Sequence, residues 1–274
     1  MPASVELAEV AAQTVIGLTS QSINKVNELT SSIFHTRGGR IGSGMGSVIE
    51  GVWGFCLNAC LKQQNIHEYK LGWIYGHTYN DFACVVSDEP WDPETKQGEL
   101  FRIEAKSMVN SADESKAHFD RLSRELVPLD ILAVFLWDWQ RIKPGELTVY
   151  PAIVDAFVGR ALPVAHLRDE MHIQRGGSFV TEGNCPDGCS PQACIHLGEP
   201  LNANGVRERR TGPQTATARS VSYAANFGGL LRMLGCRSEE GRSILNRYYN
   251  EDETVRRFLD FMRRNFNRVS QALE

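Results

Sequence analysis

The sequence predicts an α/β protein, with a mixed sheet flanked by helices and further helices toward the C-terminus. Three observations carry this. The apolar positions change period along the chain, from helical spacing over Val48–Cys60 to strand alternation over Leu100–Val109. The run "DILAVFLWDW" from Asp130 is almost wholly apolar, the pattern of a strand buried on both faces. The segments then fall in the order helix, strand, strand, strand, helix, strand, which layers helices against a sheet. With 274 residues, 42% hydrophobic and 23% charged, the chain has material for one large core or two modest ones.

Taken in order, "MPASVELAEVAAQTVIGL" is an amphipathic helix. No basic residue precedes Lys25, so it does not have the form of a secretory signal. No stretch is expected to reach the ~20 apolar residues of a membrane span. Gly38–Gly46 is a glycine-rich loop. Ser47 caps the helix that follows, with Glu50 three residues on and Val48, Ile49, Val52, Phe55, Cys56, Ala59 and Cys60 at helical spacing. "EYKLGWIYG" is a strand, and "YNDFACVVSD" is a strand entered through Asp81. "EPWDPETKQGE" is a turn rich in Pro, Gly and acids. "LFRIEAKSMV" is the third strand. "ADESKAHFDRLSREL" sets Ala117, Phe119, Leu122 and Leu126 on one helix face, and Pro128 ends it. The apolar strand follows, then a further strand in "ELTVYPAIVDAFV". Beyond lie a cysteine-rich loop, a basic loop and three helices, in "VSYAANFGGLLRMLG", "SEEGRSILNRYYN" and "DETVRRFLDFMRRNFNRVSQAL". We therefore expect residues 1–160 to hold the N-terminal helices and a catalytic core, and 161–274 to hold the loops and C-terminal helices, packed on the core or forming one domain with it.

The chemistry starts at Glu104 and Lys106, two apart in the third strand and so on one face of it. Glu-x-Lys occurs four times in the chain, and the other copies, at Glu68, Glu94 and Glu114, lie at a strand opening, in a turn and at a surface helix. Taken alone, the Glu104/Lys106 pair has the form of a cross-strand surface salt bridge. Asp81 and Glu50 change that. Asp81 enters the preceding strand and approaches Glu104 if the two strands pair as a hairpin. Glu50 sits among apolar neighbours on its helix. Carboxylates brought together and desolvated need a cation, and an all-oxygen ligand set favours Mg²⁺. A lysine beside that cation serves the attacking water.

This arrangement resembles the PD-(D/E)XK nuclease superfamily, and type II restriction endonucleases within it. The resemblance runs from about Gly44 to Trp139 and implies a restriction-endonuclease-like αβββαβ core. It implies that Asp81 and Glu104 are metal-binding acids, that Lys106 is the catalytic lysine and that Glu50 is an added helix acid. Asn80 stands where the pattern often has proline. The activity so implied is Mg²⁺-dependent, sequence-specific hydrolysis of double-stranded DNA in a restriction-modification system, by a homodimer in a bacterial or archaeal cytoplasm. Two alternatives stay open: a repair or modification-dependent DNA nuclease, and a non-catalytic DNA-binding protein.

Three further groups complete the reading. Cys185, Cys189, Cys194 and His196 offer four soft ligands for a structural Zn²⁺, against the plainer reading of a loop with incidental thiols. Seven cysteines, an odd number, suit a reducing compartment. From Arg207 to Arg268 there are thirteen Arg, no Lys and seven acidic residues, an excess of six positive charges in a chain whose net charge is −4. That suits phosphate contact, with Arg207, Arg209, Arg210 and Arg219 in an exposed loop; a solvated helix surface is the alternative. Arg37 and Arg40 in the glycine-rich stretch are candidates for a DNA-backbone contact, against a plain flexible loop.

Overall fold

The computed structural model describes residues 5–37, 42–74, 80–110, 119, 123, 126–174, 178–179, 200–201, 230 and 238–265. Cys185, Cys189, Cys194, His196, Arg40, Arg207, Arg209, Arg210 and Arg219 lie outside them. So do most of the expected 112–126 helix and the "VSYAANFGGLLRMLG" helix, apart from Phe119, Ser123, Leu126 and Leu230. The chain divides into two compact units, one of residues 1–114 and 126–162, the other of residues 115–125 and 163–274.

The first unit holds three helices, α1 (Val5–Gly17), α2 (Thr19–Ile33) and α3 (Gly42–Gln63). They are followed by five strands, β1 (Tyr69–Trp73), β2 (Phe82–Val86), β3 (Glu99–Val109), β4 (Ile131–Arg141) and β5 (Val149–Arg160). Spatial order follows chain order. All neighbours are antiparallel except β3 and β4, which run parallel, so the sheet is mixed. A parallel pair cannot be closed by a tight turn, and the chain between β3 and β4 is accordingly a long crossover. The β2–β3 hairpin closes through the turn before Gly98, whose φ of +75° and close approach to the Pro90 carbonyl admit only glycine without strain. Pro151 falls in β5, the edge strand, where a missing N–H is tolerated.

The helices cover one face of this sheet. Ala11 and Val15 of α1, Val26 of α2, and Ile49, Trp53 and Leu57 of α3 pack with Phe82, Ile103, Ala105, Ala133 and Phe135. Trp53 anchors the layer: its ring meets Phe135 at 5.0 Å and Phe82 edge-on at 5.9 Å, and its indole N–H donates to Ser22 Oγ at 3.1 Å.

The structure corrects three expectations here. Helix α3 starts at Gly42, so Ser47 lies inside the helix and does not cap it; burial of Met45 holds the extra turn in place. Val48 and Phe55 point outward, Phe55 being 68% exposed, because the inward stripe runs through Met45, Ile49, Trp53, Cys56, Leu57, Cys60 and Leu61. Twenty residues of α3, Gly44–Gln63, are long and apolar enough to span a bilayer by length and composition alone. In this fold that apolarity belongs to a core helix. Helix α2 adds an element to those expected, with Val26 buried along it and Ile23 and Leu29 packed partly buried beside it.

In the second unit, α4 (Ala161–Gln174, its first two residues counted with the first unit) carries Arg168, fully buried. Its guanidinium lies over the Phe119 ring, donates to the Phe119 carbonyl and pairs with Asp169. The other Asp169 oxygen accepts the Ser123 N–H at 2.8 Å. A buried ion pair of this kind is tolerable because every arm is bonded. A two-stranded ribbon, β6 (Ser178–Phe179) with β7 (Pro200–Leu201), and the helices α5 (Glu239–Glu251) and α6 (Glu253–Asn265) complete the described part. Asp252 separates α5 from α6, and its carboxylate accepts the Val255 N–H at 2.9 Å. Val255, Phe258, Leu259, Phe261 and Met262 are buried along α6.

Candidate metal and catalytic site

The site grows from the β2–β3 register. Phe82 pairs with Ile103, and β2 begins there. Beyond Ile103 the edge of β3 that faced β2 has no strand partner among the described residues. Asp81 fills the gap with its side chain: its own N–H donates to the Ile103 carbonyl at 3.1 Å, and its Oδ2 accepts the Ala105 N–H at 2.8 Å. Asp81 is thereby fixed beside Glu104, as the hairpin expectation required. On the other side its carbonyl accepts the Ile74 N–H at 3.0 Å, which ties it to the end of β1.

Strand alternation puts Glu104 and Lys106 on one face of β3 and Ala105 and Ser107 on the other. Glu104 is buried, at 5% exposure, and its Oε1 is ion-paired with the Lys106 ammonium. Its Oε2 is buried with no hydrogen-bond partner among the described residues. On the helix side Glu50 of α3 accepts a hydrogen bond from the Ser107 hydroxyl. Room for that hydroxyl comes from Gly46, one turn earlier, where any Cβ would collide with Ser107 Oγ. Glu50 lies within electrostatic reach of Asp81, Lys106 and Glu104.

Burial sets the charge state. Desolvation pushes Glu50 up to about 7, with Ser107 and Lys106 pulling down and Asp81 and Glu104 adding to the rise. Desolvation also pushes Glu104 up to about 7, against the opposing pull of Lys106. Burial works to lower Lys106, but Glu104, Asp81 and Glu50 outweigh it, so the ammonium is held more firmly protonated than usual. The result is two acids that resist ionisation beside the firmly protonated Lys106. An added cation would relieve both.

Asp81, Glu104, Lys106 and Glu50 are therefore neighbours. Among the described residues, however, no three acidic, histidine or cysteine side chains converge closely enough to enclose an ion unaided. Arg37 is elsewhere: it follows Thr36, which bridges Val149 on the outer strand β5, away from Asp81 across the sheet. A cavity of about 930 Å³ lined by Val5, Glu9, Lys96, Gly98 and Leu129 contains none of the four residues. Sequence reasoning missed Ser107 and Gly46. The polar Ser107 on the core side of a strand was the available signal for the first; nothing local marked the second. Compared with family models, with curated proteins and with solved structures, the chain matches none.

Proposed function

We propose that this chain is a Mg²⁺-dependent endonuclease with a restriction-endonuclease-like core, acting on double-stranded DNA as a type II site-specific enzyme. One observation carries the reading. The β2–β3 register brings Asp81 to the strand of Glu104 and Lys106, with Glu50 in electrostatic reach. The order of one helix, three strands and a crossover to a parallel strand is the supporting frame.

The residues fit a hard cation. All the donors are oxygens, and Glu104 Oε2 is a buried acceptor without a hydrogen-bond donor among the described residues. Mg²⁺ commonly takes only one or two carboxylates and fills the rest of its shell with water, so Asp81 and Glu104 suffice as protein ligands. When bound, the cation would bind the phosphate and acidify water. The chain's own residues do the rest. Lys106, firmly protonated, is no base; it orients the attacking water and steadies charge on the phosphate. Glu50, poised near neutrality, is the group suited to exchange a proton there. Hydrolysis in this way leaves a 5′-phosphate and a 3′-hydroxyl. Cutting both strands of a palindrome takes two such sites, hence a homodimer. The excess of arginine from Arg207 to Arg268 supplies the charge for a DNA partner.

The rival is a non-catalytic protein in which the closed Lys106–Glu104 pair is structural. Plasmid digestion with Mg²⁺ separates the two. Wild type should cut at defined positions, read by sequencing the ends. Glu104→Gln and Lys106→Ala should each lose about a hundredfold or more, on the order of 3 kcal/mol, while staying folded. Glu94→Gln and Lys96→Ala, in the exposed turn, should cut like wild type. Nicking at the wild-type rate by either β3 variant would sink the assignment.

A further inference from the structure

The residue before Asp81 has an unusual backbone. Asn80 is buried and has a φ of +89°, a region that non-glycine residues avoid and that Asn enters more readily than most. The following N–H, that of Asp81, donates to the Ile103 carbonyl, and the Asp81 side chain then accepts from Ala105. One left-handed residue thus turns the chain so that Asp81 meets β3 with its backbone and its side chain together, on either side of Glu104. A proline here would have no access to this φ.

We infer that Asn80 is a positioning residue: its left-handed backbone delivers Asp81 to the open edge of β3, where backbone and side chain both bond, and so fixes the spacing of Asp81 and Glu104. This rests on the reading of those acids as cation ligands. The backbone, not the side chain, does the positioning, which gives an unusual order of tolerance. Glycine adopts positive φ freely, alanine does so at a cost, and a β-branched residue does so worst.

The test uses the full chain and Mn²⁺ alone, titrated by calorimetry into wild type, Asn80→Gly, Asn80→Ala and Asn80→Val, with melting curves confirming that each is folded. Affinity for Asn80→Gly should stay within about threefold of wild type, and Asn80→Val should weaken by about tenfold or more, as for other supports of metal ligands, with Asn80→Ala between. Equal damage from glycine and valine would assign the effect to the missing amide side chain and overturn the inference. So would a valine variant that binds like wild type. A second readout works without any cation: hydrogen exchange at the Ala105 amide, which Asp81 accepts, should be slow in wild type and fast in Asn80→Val. If wild type fails to bind Mn²⁺, the nuclease reading falls, and the amide alone then decides: an Ala105 N–H that exchanges equally in both proteins overturns the inference.

Discussion

Glu50 makes the fold sensitive to pH. Its folded value, about 7, exceeds the ordinary 4.5, so the native state holds this proton more tightly than the unfolded chain does. The stability it contributes is fully present below pH 4.5 and is lost as pH rises through about 7; Glu104, also raised, acts with the same sign. Glu50→Gln keeps an acceptor for Ser107 and removes the charge. The metal-free variant should therefore match wild type at pH 4.5 and exceed it by on the order of 1–3 kcal/mol at pH 8.5, measured by urea unfolding in chelator. An identical difference at both pH values would show that Glu50 ionises freely. At this scale the acids and Lys106 were legible, because alternation in "LFRIEAKSMV" fixes which residues share a face and an acid entering the previous strand is visible as such. Asn80 was legible only as a departure from a motif. A positive φ leaves no periodic trace, and its role depends on how the next residue, Asp81, meets another strand.

Helix α3 is held against β2 by a missing side chain. At Gly54 a Cβ would run into the ring of Phe82, which is itself wedged beside Trp53 and adjoins Asp81. Gly54→Ala should cost about 1–3 kcal/mol in a melt, as overpacking does, and Phe82→Leu in that background should recover part of it. Strictly additive losses would mean that the helix shifts away without strain. The same helix shows why its inward face was misread. Apolar residues and glycines surround it almost completely, so Val48 and Phe55 fit a helical period as well as Met45 and Trp53 do. Helix α2 has a stripe in Ile23, Val26 and Leu29, but its buried positions also include Ser22 and Thr30, polar residues that dilute it. In α4 an ion pair, Arg168 with Asp169, occupies the interior, where the pattern would be sought in apolar residues. Strand β4 was legible at once because both its faces are buried, so every position is apolar from Ile131 to Trp137.

Charge is organised over the whole chain. The net −4 conceals a C-terminal stretch with six surplus positive charges, and composition alone made that visible. Neutralising Arg207, Arg209 and Arg210 together should weaken DNA binding and reduce the slope of log K against log salt by ~0.9 for every phosphate that is no longer neutralised. Binding is best measured in Ca²⁺, a hard oxygen-seeking ion of larger radius than Mg²⁺. An unchanged slope would assign phosphate binding to other residues. The division into two units was less legible, because each is assembled from two separated pieces of chain, 1–114 with 126–162 and 115–125 with 163–274. Sequence-local reasoning finds boundaries where composition shifts, and no such shift marks an eleven-residue piece set between two strands of the other unit. The parallel pairing of β3 with β4 puts that piece there, since the crossover it requires must pass somewhere. The consequence is one of gene dissection. No single cut in the coding sequence releases either unit whole: a fragment ending at Leu162 carries a stranded crossover, and one starting at Pro163 lacks it. During synthesis the crossover leaves the ribosome long before the remainder of its own unit exists. Chaperone dependence and truncation products should therefore cluster at stops between 126 and 238, after β3 is made and before α5 is.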